Sequence, residues 1–286
     1  MNYVKTGLLL AILTLLLVWV GGVLGGPRGA MIALIFALVL NGVSYWYSDK
    51  IVLALYKAKE IPENQFYHLY NLVKGLSQSA GLPMPRIYMV EQKSPNAFAT
   101  GRNPQKAVVC VTKGLLELLD EDELKGVLAH ELAHVKNRDT LIMTVTAAIA
   151  GAIMMLAHMA RWAAIFGGYS RNRRDSGNLF SLLAISILAP VAALIVQLAI
   201  SRSREYAADR RGAYFAKNPM GLANALRRLQ QAQRIHPMQA SPQTAHLFIV
   251  NPFRASFIAN LFSTHPPVEE RIRRLQSISS PRRGEG

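Results

Sequence analysis

The chain of 286 residues is predicted to be a mainly α membrane protein, with four candidate transmembrane helices and a water-facing α+β part that contains a small β-sheet. Three observations predict this. Hydrophobic residues make up 51% of the chain, more than soluble domains of this size usually carry. They gather into four runs long enough to cross ~30 Å of hydrocarbon at ~1.5 Å per helical residue. Between and after those runs lie two segments rich in charge and turn residues.

The first run, Gly7 to Gly26 ("GLLLAILTLLLVWVGGVLGG"), contains no charge. It exceeds the ~7–15 apolar residues of a secretory leader, and a second run follows at once, which weighs against a cleaved signal peptide. After "PRG", the uncharged "AMIALIFALVLNGVSYWY" ends in Tyr45, Trp46 and Tyr47, rings of the kind that collect at membrane interfaces. These two runs are expected to form a hairpin. The third candidate extends from Leu141 to Phe166, uncharged up to Arg161, and the fourth from Gly177 to Ile200, with Pro190 as a kink. For this second pair the alternative is a buried or partly inserted hairpin within a folded domain.

Charge orients the chain. Of 32 Lys and Arg residues, 12 lie in 48–138 and 14 in 201–286, whereas the first turn holds only Arg28, so the positive-inside rule places both large segments in the cytoplasm. The expected layout is an N-terminal hairpin over 1–47, soluble parts over 48–138 and 201–286, and a second hairpin over 139–200. Arg171, Arg173 and Arg174, in the turn of that second hairpin, run against the rule if all four runs cross. A net charge of +15 suits anionic lipid headgroups better than nucleic acid, because the basic residues are spread beside apolar runs and no nucleic-acid motif accompanies them. The single cysteine, Cys110, excludes an intramolecular disulfide and a CxxC metal knuckle.

In the soluble parts, Pro62 to Ala80 carries Phe66, Leu69, Leu72, Val73 and Leu76 at helical spacing and stops at Gly81. "PRIYMVEQ" and "KAVVCVT" read as strands, separated by the turn-rich "KSPNAFATGRNPQ". From Asp120, "DEDELKGVLAHELAHVKNRD" opens with four acidic residues, favoured at a helix N-terminus, and continues with apolar residues at helical intervals. On that helix His130 and His134 share one face, one turn apart, with Glu131 beside the first. Neutral imidazoles are good zinc ligands, and an adjacent carboxylate that stays off the metal can take a proton from its water.

This H-E-x-x-H arrangement needs a third protein ligand. A metzincin would have Gly at 137 and His at 140; the chain has Asn137 and Thr140. After the fourth run, "SRSREYAADRRGAYFAK" places Glu205 and Asp209 four apart on one helix face. Glu205 can complete a two-histidine, one-glutamate site, and Asp209 can accept a hydrogen bond from the far nitrogen of a ligand imidazole. The alternative is that both carboxylates pair with Arg202, Arg204, Arg210 and Arg211 on a solvated face. Two crossings between the helices would return the chain to the same side, which allows the site to close. An intramembrane site-two protease would bury the motif in a span and take an Asp from a later one. Here the motif helix opens with charges, and the last two runs contain no Asp.

Together, "HELAHVKNRD", "SREYAAD", "SPNAFATGRNP" and "LFSTHPPVEERIRRL", with the four runs, resemble the HtpX-type membrane metalloproteases, relatives of the CAAX prenyl endopeptidases. The resemblance covers nearly the whole chain. It implies a gluzincin-like zinc peptidase domain at the cytoplasmic face of a bacterial inner membrane, acting on damaged or misfolded membrane proteins. It further implies one Zn²⁺ per chain held by His130, His134 and Glu205, with Glu131 as general base and acid. His265, which lies in a family motif, is a candidate oxyanion donor or else part of a helix-capping turn with Thr264 and Pro266. Asn96, Ala97, Phe98 and Ala99 are candidates for a sheet edge that accepts a substrate strand, or for a plain turn. His68, His236 and His246 read as surface residues, and His158 sits near the end of the third run. A non-catalytic membrane scaffold is the remaining alternative.

Overall fold

The computed structural model describes residues 2–146, 202–235, 247–250 and 266–279. Helix α1, Asn2–Leu55, is helical on both sides of Gly26 and folds back on itself there. Asn41 Nδ2 donates to the Leu10 carbonyl at 3.3 Å and to the Thr14 hydroxyl at 2.8 Å. In a straight helix the 31 positions between Asn41 and Leu10 would span roughly 46 Å. The reversal falls at Gly26, with φ +59°, beside Pro27, which lacks the N–H to continue the ladder. Among the described residues, Gly26–Tyr47 in the second arm is the one helical stretch long and apolar enough to cross a membrane, and the first arm contains the shorter apolar stretch Leu10–Trp19. Of the expected second pair of runs, 141–146 are helical, and the remainder, with the Arg-rich turn 171–174, lies outside the described residues.

The sheet has the order β1-β2-β4-β3, from β1 (Lys59–Glu60), β2 (Arg86–Val90), β3 (Ala97–Thr100) and β4 (Val108–Thr112). Strands β2 and β4 are parallel, and β1 and β3 pair antiparallel at the two edges. Thus β3 emerges from a stretch whose Pro, Asn and Gly read mainly as turn. Every residue of β4 is buried, because both faces of the sheet are covered. Ile87, Ala97, Val109 and Val111 point into the helical core, whereas Val90, Phe98 and Cys110 meet Val52 and Tyr56 at the end of α1.

The helices on the core face are α2 (Tyr67–Ala80), the short α3 (Lys113–Leu118), α4 (Glu121–Asn137), α5 (Arg202–Ala216), α6 (Pro219–Ile235) and α7 (Val268–Ser279). Helix α2 starts five residues later than the periodicity suggests, since Gln65 and Phe66 donate to Pro62 and Glu63 in tight turns instead. Helix α4 is the central element, and 12 of its 17 residues are buried. Its start is a capping box: Asp120 accepts from the Glu123 N–H, and the Glu123 carboxylate accepts from the Asp120 N–H.

At Gly126 helix α4 touches the start of α6 so closely that a Cβ would lie 2.4 Å from the Leu222 nitrogen. Gly75, on the exposed side of α2, has no atom within 4 Å of its Cβ position. In thermal melts of the full chain in detergent, Gly126→Ala is expected to cost about 1–3 kcal/mol, whereas Gly75→Ala should stabilise by about 0.5–1 kcal/mol. Equal effects of the two substitutions would contradict the packing described for α4.

Candidate metal centre

Helix α4 presents His130 and His134 on the face that meets α5, with their Nε2 atoms 3.2 Å apart. From α5, Glu205 reaches both, with Oε2 3.8 Å from His130 Nε2 and Oε1 3.5 Å from His134 Nε2. Small residues allow this approach: Ala129, Ala133 and Ala208 are fully buried, and a Cβ at Gly212 would lie 2.9 Å from the His130 Cα. The three donor atoms lie within 4.8 Å of one another. A tetrahedral ion with ~2.0–2.1 Å bonds would separate its ligand atoms by roughly 3.3 Å, so these residues fit a small divalent cation.

The other ring nitrogens are also engaged. His130 Nδ1 lies 3.0 Å from Asp209 Oδ1, one turn below Glu205 on α5. His134 Nδ1 lies 3.2 Å from Asp139 Oδ2. In an unbroken helix, Asp139 would be rotated about 140° from His134 and point away. The chain instead breaks at Arg138, which adopts left-handed backbone with φ +59°, and the next helical stretch returns Asp139 to the imidazole. Carboxylates placed this way fix which ring nitrogen carries the proton and leave Nε2 free for an ion.

Arg271, on α7, is fully buried and grips Asp209 with two hydrogen bonds, 2.9 Å from Nε and 2.7 Å from Nη2. Its Nη1 donates to the Ile249 carbonyl at 2.8 Å and lies 3.8 Å from Glu205. Burial favours the neutral acid at Asp209, but Arg271 and His130 outweigh it and hold the carboxyl down at about 2. The Asp139 hydrogen bond and the charges of Glu205 and Glu131 overcome burial at His134 and raise it to about 9. His130 is lowered, first by burial and then by Arg271 and His134.

Glu131 is 6% exposed, and its Oε2 accepts the Ala99 N–H at 2.8 Å. Burial, with Glu205 adding to it, lifts this carboxyl to about 7, against the pull of His134, Ala99 and Arg271. A carboxyl so placed can exchange a proton near neutrality. Four buried carboxylates thus share two guanidinium groups: Arg271 acts on Asp209, Glu205 and Glu131, and Arg204 on Asp139 and Glu205. A divalent cation held by His130, His134 and Glu205 would require both imidazoles to be neutral.

The residues singled out in the sequence fall into three groups. His130, Glu131, His134, Glu205 and Asp209 come together, and Ala99 joins them through its N–H. Asn96, Ala97 and Phe98 belong to the same sheet edge but do not bond to the donors: the Asn96 amide instead holds residues 247–249. His265, with His158, His236 and His246, lies outside the described residues. His68 is exposed beside Glu121. Sequence reasoning missed Asp139, whose role depends on the break at Arg138, and Arg271. The one available signal for Arg271 is its place on the apolar stripe of α7, between Val268 and Leu275.

Asp139→Asn and Asp209→Asn should each weaken metal binding about 10–100-fold, measured by competition with a chromophoric chelator. Unchanged affinity in both variants would remove these carboxylates from the centre.

Residues 63–279 match peptidase family M48. The chain is 56% identical over 277 residues to a "Protease HtpX homolog" of Syntrophobacter fumaroxidans, covering 96% of this chain and 98% of that protein. It is 58% identical to one of Desulforapulum autotrophicum (96% and 89% covered) and 54% identical to one of Thermococcus kodakarensis (97% and 96%). Among solved structures, S. mikatae Ste24p aligns with a TM-score of 0.47 at 17% identity, over 94% of this chain and 62% of that one. By the match along most of its length and by these relatives, the chain belongs to peptidase family M48 and is a metallopeptidase.

Proposed function

We propose that the protein is a zinc-dependent endopeptidase of the inner membrane that hydrolyses damaged or misfolded membrane proteins. The observation that carries the assignment of roles is the convergence of two imidazoles and a carboxylate from α4 and α5, with Glu131 beside them. His130, His134 and Glu205 are the proposed ligands of one zinc ion. When bound, zinc would polarise the scissile carbonyl and acidify a water molecule.

The chain's own groups then have distinct tasks. Glu131 removes a proton from the attacking water and passes it to the leaving amine as the C–N bond breaks. Its Oε2 is held by the Ala99 N–H, which leaves Oε1 for the water. Asp209 and Asp139 keep the two imidazoles turned with Nε2 toward the ion. Strand β3 is a sheet edge, so an extended substrate can pair along it through backbone groups other than the Ala99 N–H, which tolerates many sequences. His265 is retained as a proposed oxyanion donor.

The proposed layout is a multi-pass protein, with membrane hairpins at 1–47 and 139–200 and cytoplasmic peptidase parts at 48–138 and 201–286. The apolar exposed face of the second arm of α1 supports the first hairpin. The spread of Lys and Arg supports the orientation. The proposed substrate class is supported by the β3 edge, which accepts many sequences, and by the contact of that strand with α1.

Glu131→Gln is expected to retain one zinc per chain by elemental analysis while losing cleavage of an unfolded polypeptide by at least about 10²–10⁴-fold. Glu205→Ala should lose metal and activity together. Cleavage surviving Glu131→Gln, or full zinc content in Glu205→Ala, would refute the assignment.

A further inference from the structure

A polypeptide cannot reach the donor atoms in this conformation. His130, Glu131, His134 and Glu205 keep only 2–6% of their surface. The space they border, together with Phe98, Met143 and residues 247–249, is about 10 Å³, room for about one water. Residues 247–249 form part of its wall. Residues 247–250 form no regular helix or strand, yet Leu247, Phe248, Ile249 and Val250 are all buried. Leu247 clusters with Phe98 and Cys110, and Phe248 meets Tyr56 at the end of α1 with ring centroids 6.4 Å apart.

Two buried polar side chains hold the backbone of this segment. Asn96 Nδ2 donates to the Leu247 carbonyl at 3.3 Å, and the Ile249 N–H donates to Asn96 Oδ1 at 3.2 Å. Arg271 donates to the Ile249 carbonyl. A carbonyl and the N–H two residues further on are the groups that one edge of an extended chain shows to a neighbouring strand. Asn96, at the start of the edge strand that borders the metal centre, therefore meets on this bent segment the same pair of backbone groups that an extended chain would offer it. Its own backbone is engaged elsewhere: the carbonyl accepts from the Thr112 N–H, and the N–H donates to the Thr112 hydroxyl.

We propose that residues 247–249 stand in for a substrate strand, and that an extended polypeptide enters by displacing them from Asn96, whose amide then holds the substrate backbone. This rests on the peptidase assignment above and adds that the cleft is occupied by the protein's own chain. The groups given up are apolar, Leu247 and Phe248, and so are the walls they leave, Phe98 and Met143. The entering chain that best replaces them carries exposed large apolar side chains, as an unfolded polypeptide does. Displacement need not disturb the metal shell, because Arg271 binds the segment through Nη1 and Asp209 through Nε and Nη2.

The test uses the full chain in detergent micelles, loaded with zinc, and the double variant Leu247→Ala/Phe248→Ala. Two rates are read: stripping of zinc by 1,10-phenanthroline, and cleavage of reduced, carboxymethylated lactalbumin. Both should rise about tenfold, because the substitutions remove packing that exists only while the segment is seated. Slower cleavage, or stripping at the wild-type rate, would make the segment a fixed wall and overturn the proposal. If the double variant gives no cooperative melt, Asn96→Ala tests the same point without touching the apolar packing. It should strip about tenfold faster and raise KM, and stripping at the wild-type rate overturns the proposal. Wild-type protein without stoichiometric zinc would defeat the metal assignment as well. Unaltered stripping from a zinc-loaded, Glu131-dependent enzyme defeats the displacement alone.

Discussion

Everything at the metal centre depends on how closely α4 and α5 approach. The donor atoms lie 3.2–3.8 Å apart although the helices that carry them are about seventy residues apart in sequence. Long side chains at the crossing would hold the helix axes too far apart for two imidazoles and one carboxylate to share an ion. Ala129, Ala133, Ala208 and Gly212 supply the clearance. They contribute no chemistry of their own, yet the geometry fails without them.

The second constraint is electrostatic. Burying four carboxylates around two histidines is costly unless cations are supplied in the same volume. Arg271 supplies one and uses all three of its nitrogens: Nε and Nη2 fix Asp209, and Nη1 reaches the backbone of residue 249. One side chain thereby joins α7, the support of His130 and the segment that lines the cleft. The capping box at Asp120 and the left-handed residue at Arg138 set the two ends of the helix on which this charge network is mounted.

The share of this visible in the sequence follows the range of the interactions. His130, Glu131 and His134 can be read because a helix fixes their spacing, and Glu205 and Asp209 because they repeat that logic on a second helix. The arms of α1, the C-terminal end of α2 and the start of α4 are local signals of apolar run, glycine stop and acidic start. Asp139 was hidden because its contact depends on one residue leaving helical backbone, and nothing in "KNRD" marks that residue as different from its neighbours. Arg271 was hidden because burial of a guanidinium is decided by what the tertiary fold places around it. The hold of Asn96 on residues 247–249 joins positions 151 and 153 apart, a separation at which sequence periodicity carries no information.

The contact between α1 and the sheet couples the N-terminal hairpin to the metal centre. Trp46, an interfacial residue on the proposed reading, lies under the Arg102 guanidinium at 4.3 Å, and Arg102 follows β3 by two residues. At ~3.3 Å per strand residue, Ala99 is about 10 Å along the chain from that anchor. Asn41 in turn ties the second arm of α1 to the first one. The Arg102–Trp46 stack therefore ties the end of β3, and with it the Ala99 N–H that holds Glu131, to the second arm of α1.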